Sequence, residues 1–595
     1  MRKKLIHLLY STKSDPAQTI FIIALLVLYG VYFYSRALDD SSFAVSWFCG
    51  VCFSLCALFH PKLSAFIRRN YRIIIIIAAF IWLIYSSLNY RTNSWDGMNL
   101  YYRSTYMVKE KLHSGVLQGA LLPYLSELFL GVVDRLFGDI VMFLLFGVVA
   151  LLNLFTSYVL YKRLGFSRFT IKCSLLILAS SSTYIMLSIH EFKVELFLLF
   201  LCNLFILLLK KLIDNPCHKT AVLLGIVASL CFLVKVTVFP LVILAPLIIL
   251  LVLIVRKEQS FPAAARLLGV FVITFLTPVF MWLLYTPTYL PVMGEIDLLN
   301  RKSHLDFTDL ERNTELQVEC QNRGRYRDLS DWIYFENNLW FLVQPFQYLF
   351  LVGLNKSHFG FAFGNPGPFI YFGIWLLPIV LIYFKKNRDF GKFLLYVSTF
   401  PFIITIYYLS KTVFWYLFPV FPLLSTVVPV LAERYIRAEN AKTIFKAVLL
   451  SSFFTHGLLG SVYAMNWFTP YPNVAESSPI LWKLSKYAQN LPENYYILDA
   501  SEHIYLVFLP FMNNYDTRLV KSNYYFVSSE KGLDTMRQEL LNKNIKYIIA
   551  RKRTLFDKWY TGCPLRNNEI LFRFLEKHTV QIYDSVQAGE IYEII

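Results

Sequence analysis

YRIIIIIAAFIWLIYSSLNY, residues 71–90, runs directly into RTNSWDGMNLYYRSTYMVKEKLH, residues 91–113. The first stretch is long and apolar enough to cross a membrane as a helix, which takes about 20 residues. The second begins with one acid, Asp96, and continues in a helical pattern that carries Arg103, Lys109 and several tyrosines. A carboxylate at the mouth of a membrane helix, followed by basic and aromatic side chains at headgroup depth, suits chemistry on a lipid-borne anionic substrate. A solvated loop with a helix-capping aspartate explains the same stretch equally well.

The composition excludes an ordinary soluble globular protein. The chain has 595 residues, of which 56% are hydrophobic and 17% aromatic, and its mean hydropathy is +0.50. A formal net charge of +18 would suit nucleic acid, but the basic residues lie in short segments between apolar runs, as cytoplasmic loops do. The N-terminal MRKK and the polar stretch after it predict a retained anchor rather than a cleaved signal peptide. We therefore expect a membrane protein with no nucleic-acid partner.

Repeated apolar runs predict a polytopic α-helical membrane protein of about 13 transmembrane helices. The runs lie at 18–34, 43–60, 71–90, 139–161, 170–188, 191–209, 220–237, 239–255, 264–286, 367–384, 391–409, 412–432 and 441–465. Phe239-Pro240 marks either a turn between two spans or a kink in one longer element.

The orientation follows from the Lys and Arg residues, which concentrate in alternate connections between the runs. The short connections of the other set offer little beyond Arg36 and Lys411. This asymmetry predicts a cytoplasmic N-terminus, and an odd number of spans then places the C-terminus outside. Treating 220–255 as one span would move the later basic clusters outside, so two spans are favoured there.

Three domains follow from this arrangement. We predict an N-terminal transmembrane hairpin (1–70), a transmembrane catalytic module (71–465) with long external loops at 91–138 and 287–366, and an extracytoplasmic α/β domain (466–595). The last domain is predicted from strand-like segments that alternate with helical patterns. The strand-like segments are 495–500, 545–551, 579–586 and 590–595, and the helical patterns are 531–543 and 567–578.

Several local stretches, in this order, resemble the GT-C superfamily of membrane glycosyltransferases. They are Trp95-Asp96-Gly97 after a span, HEFKVELFLLF (190–200), LVKVTVFPL (233–241), GNPGPFIYFGIWLLP (364–378) and FWYLFPVFPLL (414–424). The first looks like the family's acid after a span. The second and third look like its K-V-D-L and K-Y-T stretches. The fourth looks like its Gly-Pro span start, and the fifth looks like its R-Y-L-L-P-x-x-P span. The likeness is greatest to the bacterial aminoarabinose-transferase and protein-mannosyltransferase-like branch.

This chain departs from the family pattern at three positions. Glu195 stands in place of Asp, Trp415 stands where the pattern has Arg, and Gly97 follows Asp96 where the family often has a second acid. The missing second acid leaves the metal dependence open: no cofactor is required by the sequence, and a divalent metal stays an alternative.

The resemblance implies a glycosyltransferase that moves a hexosyl or pentosyl group from a polyprenyl-phosphate donor to a lipid, glycan or protein acceptor. Such a reaction needs a base for the acceptor and cations for the departing phosphate. The candidate catalytic acids are Asp96 and Glu191, and the candidate phosphate-binding residues are Lys235, Arg103, Lys193 and Lys109. Glu195 lies a turn deeper in the apolar slab, where an ionisable side chain indicates function.

Each of these residues also has a structural explanation. Glu191 suits a helix start through the helix dipole, and Lys235 suits snorkelling towards the headgroups. Cys49, Cys52 and Cys56 are interpreted as small core residues on one helix face rather than metal ligands. A bridge and two free thiols are both open for two further cysteines, Cys320 and Cys563, in segments predicted to lie outside.

Two other functions compete with glycosyl transfer. A transporter or lipid flippase would show inverted repeats or helices broken at midplane. A non-catalytic scaffold with a degenerate GT-C fold is the third possibility, because the family's second acid is missing from the first external loop. The predicted location is in each case the cell membrane, most simply the inner membrane of a bacterium.

Overall fold

The computed structural model describes residues 20, 23–24, 26–27, 41–88, 125–189, 194–285, 367–410, 414–466, 487–488, 490–500, 519–521, 532–550, 569–584 and 590–595. The chain divides into two compact units. The first unit comprises Met1–Arg91, Tyr124–Tyr285 and Leu339–Met465, and the second comprises Thr92–Pro123, Thr286–Asn338 and Asn466–Ile595.

The described residues of the first unit form helices joined by short connections. Its α-helices are α1 (Ser41–Phe59), α2 (Pro61–Leu88), α3 (Leu125–Phe137), α4 (Asp139–Arg163), α5 (Arg168–Ser180), α6 (Ser182–Ile189), α7 (Glu195–Asp214), α8 (His218–Val234), α9 (Phe239–Val255), α10 (Phe261–Tyr285), α11 (Pro368–Lys386), α12 (Phe390–Ser410), α13 (Phe421–Tyr435) and α14 (Glu439–Asn466). Two 3₁₀ segments, Val236–Val238 and Phe414–Val420, precede α9 and α13.

Within the described ranges, five stretches are long and apolar enough to cross a membrane by length and composition. They are Val141–Arg163, Glu195–Asp214, Phe261–Trp282, Pro368–Lys386 and Leu417–Tyr435. Shorter apolar helices include α8 and α9. The chain is therefore an integral membrane protein, and its predicted number of about 13 crossings stays a prediction.

Two of the predicted runs are interrupted. The run 170–188 forms two helices, α5 and α6, because Ser181 between them is extended (φ −61°, ψ 123°). The run 412–432 begins as the 3₁₀ segment and becomes α-helical only at Phe421, next to Pro422 in the first turn. Proline fits a first turn because its missing N–H has no intrahelical partner there.

Three of the described basic connections between helices contact one another. The guanidinium of Arg256, after α9, lies 3.5 Å from the ring centroid of Phe390 at the start of α12. The ammonium of Lys392, in the first turn of α12, lies 5.1 Å from the ring of Phe166, between α4 and α5. The three connections joined by these contacts are 164–167, 256–260 and 387–389, and each carries or adjoins Lys and Arg residues of the basic set of connections.

The three cysteines near the N-terminus are not core residues, contrary to the interpretation above. Cys49, Cys52 and Cys56 are exposed on α1. The helix is apolar all along, so its outward face has the same chemistry as its packed face and the sequence does not distinguish them.

A close approach between α8 and α10 depends on a glycine. A Cβ added to Gly225 would meet the Thr274 side chain and lie 2.7 Å from the carbonyl oxygen of Phe271. Small residues at helix contacts allow such approaches in membrane proteins.

We predict that Gly225→Ala destabilises the first unit by about 1–3 kcal/mol, because overpacking forces the two helices apart. Gly269→Ala on α10 is the matched control, since its added Cβ would meet nothing within 4 Å. Thermal unfolding of the purified proteins in one detergent measures both. Equal melting temperatures for the two variants would contradict the proposed close approach.

The second unit contains a mixed five-stranded sheet of order β2-β1-β3-β5-β4. The strands are β1 (Tyr496–Asp499), β2 (Leu519–Lys521), β3 (Ile545–Ala550), β4 (Thr579–Asp584) and β5 (Glu590–Ile594), with helices α15 (Leu533–Asn542) and α16 (Glu569–His578). The pairs β1–β2 and β1–β3 are parallel, whereas β3–β5 and β4–β5 are antiparallel. Leu498, Leu540, Ile548 and Phe574 form part of its buried core.

The histidine at the end of α16 belongs to this core. Burial lowers the pKa of His578, and the nearby Asp534 opposes that shift without reversing it. The imidazole packs 5.3 Å from the ring of Phe574. His578 is therefore neutral near pH 7 and acts as a packing residue.

Candidate functional site

The break between α8 and α9 places a lysine inside the apolar bundle. Lys235 follows α8 in an extended conformation (φ −159°, ψ 119°). The 3₁₀ turn Val236–Val238 comes next, and α9 begins with Pro240 in its first turn. The chain thus leaves helical geometry at Lys235 and resumes it four residues later, which supports the division of 220–255 into two helices.

Lys235 pairs with an acid on the neighbouring helix. Its ammonium donates a hydrogen bond to the carboxylate of Glu195, the first residue of α7. The Glu195 side chain is 3% exposed and the Lys235 side chain 16% exposed. The position of Glu195 in the first turn also suits the helix dipole, which favours a negative charge there.

A second contact fixes the relative direction of α7 and α8. The sulfur atoms of Cys202 and Cys231 lie 4.0 Å apart, both fully buried. The pairs Glu195–Lys235 and Cys202–Cys231 follow the two helices in opposite order, so the helices are antiparallel. The ion pair therefore lies where α7 begins and α8 ends.

Helix α4 holds the turn that carries Glu195. The Asn153 side chain donates to the Leu196 carbonyl oxygen at 2.9 Å. Two turns further along α7, the Asn203 amide donates to Thr156 Oγ1 at 3.0 Å and to Ser157 Oγ at 3.1 Å. Buried polar contacts of this kind specify the position of one helix against another.

Other interrupted helices meet the same region. The 3₁₀ segment 414–420 contacts both α7 and the 3₁₀ turn after Lys235. Its Phe418 ring lies 6.0 Å from Tyr184, which follows the interruption at Ser181. Non-helical backbone at membrane depth is tolerated where it is buried in protein or lines a cavity.

Both charges of the ion pair are costly in free energy to bury among apolar helices. A charge in a membrane interior is expensive, and ionisable residues there mark substrate pathways or ion relays. Removal of one partner from a buried pair costs about 3–5 kcal/mol because the other charge remains uncompensated. The arrangement thus places a cation and an anion together at a helix break among apolar helices.

Most of the predicted site residues lie outside the described residues. These are Asp96, Arg103, Lys109, Glu191 and Lys193. Lys235 is described, and the structure brings it together with Glu195, which the sequence analysis singled out separately. Among the described residues no group of three or more His, Cys, Asp or Glu side chains is placed to hold a metal ion.

Sequence analysis missed two features of the site. The pairing of Glu195 with Lys235 was not predicted, although opposite charges in consecutive apolar runs are a usable signal. Asn153 was also missed, although an amide inside an apolar run indicates an interhelical hydrogen bond.

No family model matches the chain, and neither does any curated protein. The structure is similar to the crystal structure of ArnT from Cupriavidus metallidurans in the apo state, with 11% identity, a TM-score of 0.48, and coverage of 89% of this chain and 98% of that chain. ArnT bound to undecaprenyl phosphate gives 11% identity, a TM-score of 0.47, and coverage of 88% and 98%.

The archaeal oligosaccharyltransferase AglB from Archaeoglobus fulgidus, in complex with an inhibitory peptide and a dolichol-phosphate, gives 12% identity, a TM-score of 0.44, and coverage of 88% of this chain and 74% of that chain. These are distant similarities, with at most 12% identity. The ligands in those structures are properties of those proteins.

Proposed function

We propose that this chain is a membrane glycosyltransferase that moves a sugar from a polyprenyl-phosphate donor to a lipid, glycan or protein acceptor. The observation that carries this proposal is the buried ion pair of Lys235 and Glu195 at the break between α8 and α9. A lipid phosphate is a ligand that brings a negative charge to this depth together with an apolar tail.

The reaction needs a cation where the phosphate leaves. The acceptor oxygen or nitrogen forms a bond to the anomeric carbon, and the bond from that carbon to the phosphate oxygen breaks. The departing polyprenyl phosphate gains negative charge, which a fixed ammonium stabilises most effectively in a site with little water. Lys235 is proposed for this role, and Glu195 keeps it charged and oriented.

The remaining roles rest on the sequence. Asp96 is proposed as the base that accepts the acceptor's proton, and Glu191 as a second acid at the same surface. Arg103, Lys109 and Lys193 are proposed as additional phosphate-binding cations. A divalent metal is an alternative helper for the phosphate, and no step here depends on it.

The proposed reaction takes place at the extracytoplasmic face. The basic connections would then lie in the cytoplasm, as the positive-inside rule requires, with residues 466–595 outside the cell membrane. An alkaline phosphatase fused after Ile595 should be active, and an inactive fusion with a fluorescent cytoplasmic reporter would contradict this orientation.

A transporter or flippase is the second candidate, and one observation favours it. Helices interrupted at Ser181, at Lys235 and before Phe421 resemble the discontinuous helices on which transporters bind their substrates. A flippase would move the lipid phosphate without breaking a glycosidic bond, so product analysis separates the two functions.

The test is mass spectrometry of envelope glycans and lipids from a strain that lacks the gene. We expect one sugar-modified species to disappear and to return with the wild-type gene but not with Lys235→Met. Lys210→Met is the matched control, since Lys210 is also 16% exposed and pairs with an acid, Asp214, away from the helix break. Envelope species that are unchanged by the deletion would contradict the proposed function.

A further inference from the structure

Two neighbouring connections between helices form a strongly basic surface. We call it the basic patch, and it consists of Arg256, Lys257, Lys385, Lys386, Arg388 and Lys392. The first two residues follow α9. Lys385 and Lys386 end α11, Arg388 lies between α11 and α12, and Lys392 is in the first turn of α12. The contact between Arg256 and Phe390, at 3.5 Å from guanidinium carbon to ring centroid, holds the two connections together.

Only two cations of the basic patch have an acidic partner among the described residues. Arg256 pairs with Glu258 at 2.8 Å, and Lys392 pairs with Asp389 at 2.5 Å. The other four cations are exposed and form no ion pair with any described acid. The patch therefore presents uncompensated positive charge.

Two of these unpaired cations occupy positions where the backbone favours glycine. Lys257 and Arg388 both have φ of 58°. Each follows the last turn of its helix, and the backbone N–H groups there bond back to the helix at 2.8 Å from Lys257 to Ile254 and at 3.2 Å from Arg388 to Lys385. Glycine is the usual residue at this left-handed position because a Cβ is strained there. Two adjacent connections thus keep a cation where an uncharged glycine would fit the backbone better.

We infer that the basic patch binds the headgroups of anionic phospholipids. The patch lies at the ends of apolar helices, which is the depth at which the phosphate groups of a bilayer lie. Clusters of Lys and Arg beside membrane helices attract anionic lipids, and each charge contributes about a fivefold change in affinity. Lipid binding then explains why Lys257 and Arg388 occupy strained backbone positions, because their charges contribute to binding and not to folding. This inference does not depend on the proposed glycosyl transfer.

Native mass spectrometry of the full chain tests the inference. The protein is purified in detergent with equal amounts of phosphatidylglycerol and phosphatidylcholine, and the lipids that remain bound are counted. We expect the wild-type protein to retain phosphatidylglycerol preferentially. The double variant Lys257→Gly with Arg388→Gly should retain at least about fivefold less phosphatidylglycerol than the wild-type protein. Its melting temperature in neutral detergent should be unchanged or higher, since the backbone strain is relieved.

The control separates charge from backbone strain. Asn544 is the third non-glycine residue with a positive φ among the described residues, also 58°. Asn544→Gly removes no charge and should leave lipid retention unchanged. A second variant, Lys385→Ser with Lys386→Ser, removes two charges without altering a left-handed position and should also lose retention. Equal retention of the two lipids by the wild-type protein, or unchanged retention in both double variants, would overturn the inference.

Discussion

Asp96→Asn should reduce sugar transfer at least about a hundredfold, because the change keeps the size of the side chain and removes its ability to accept a proton. Asp96 is the acid nearest to the end of its apolar run, where a lipid-linked phosphosugar would present its anomeric carbon. A general base contributes about 10² to 10⁴ in rate. Folding and donor binding should be largely kept, so the loss should appear in kcat rather than in the donor KM.

Two companion variants make this prediction specific. Asp96→Glu should recover little activity, because one extra methylene displaces the carboxylate by about an ångström. Glu110→Gln, in a predicted amphipathic helix of the same loop, should be nearly neutral. Full activity of Asp96→Asn in an assay of radiolabelled sugar transfer would exclude Asp96 as the base. Glu191 would then be the next candidate for that role.

Lys235→Met should raise the donor KM at least about tenfold, because a charge-assisted hydrogen bond to the phosphate is lost. The structure adds a complication that the sequence did not indicate. Glu195 is 3% exposed and pairs with Lys235, so the single variant leaves a buried carboxylate without its partner and should be destabilised by about 3–5 kcal/mol. The double variant Lys235→Met with Glu195→Leu removes both charges and avoids that penalty.

A double-mutant cycle separates stability from binding in this pair. The double variant should unfold close to the wild-type temperature while keeping the raised donor KM of the single lysine variant. Snorkelling of Lys235 to the headgroups predicts instead that neither variant changes the donor KM. A KM increase that appears equally in Lys210→Met would assign the effect to general loss of charge.

Helix positions in the first unit were predictable because apolar runs define membrane helices directly. The runs 139–161 and 239–255 correspond closely to α4 (Asp139–Arg163) and α9 (Phe239–Val255). The interruption at Ser181 was not predictable, since serine is tolerated inside membrane helices and no proline or glycine marks the break. The start of α2 at Pro61, ten residues before the apolar run, was also missed because basic residues continue a helix as readily as apolar ones.

Four strand-like segments near the C-terminus correspond to β1, β3, β4 and β5, since alternating and β-branched residues are typical of half-buried strands. The edge strand β2 (Leu519–Lys521) was missed because three residues carry too little pattern.

The candidate site was predictable only in part, because its central contact joins residues 40 positions apart. The sequence singled out Lys235 and Glu195 separately, by their charge in apolar surroundings. Their pairing depends on the antiparallel packing of α7 and α8, which no local pattern encodes. The role of Asn153 also depends on helix packing, because its side chain on α4 donates a hydrogen bond to Leu196 in the first turn of α7.

Comparison of polyprenyl phosphate with the corresponding polyprenol tests the central claim most directly, because the two lipids differ only in the phosphate. Equilibrium binding of each lipid to the purified protein in one detergent is measured for the wild-type chain and for Lys235→Met with Glu195→Leu. We predict that the wild-type protein prefers the phosphate at least about tenfold and that the double variant binds both lipids alike. Equal affinity of the wild-type protein for the two lipids, or an undiminished preference in the double variant, would contradict a phosphate site at Lys235.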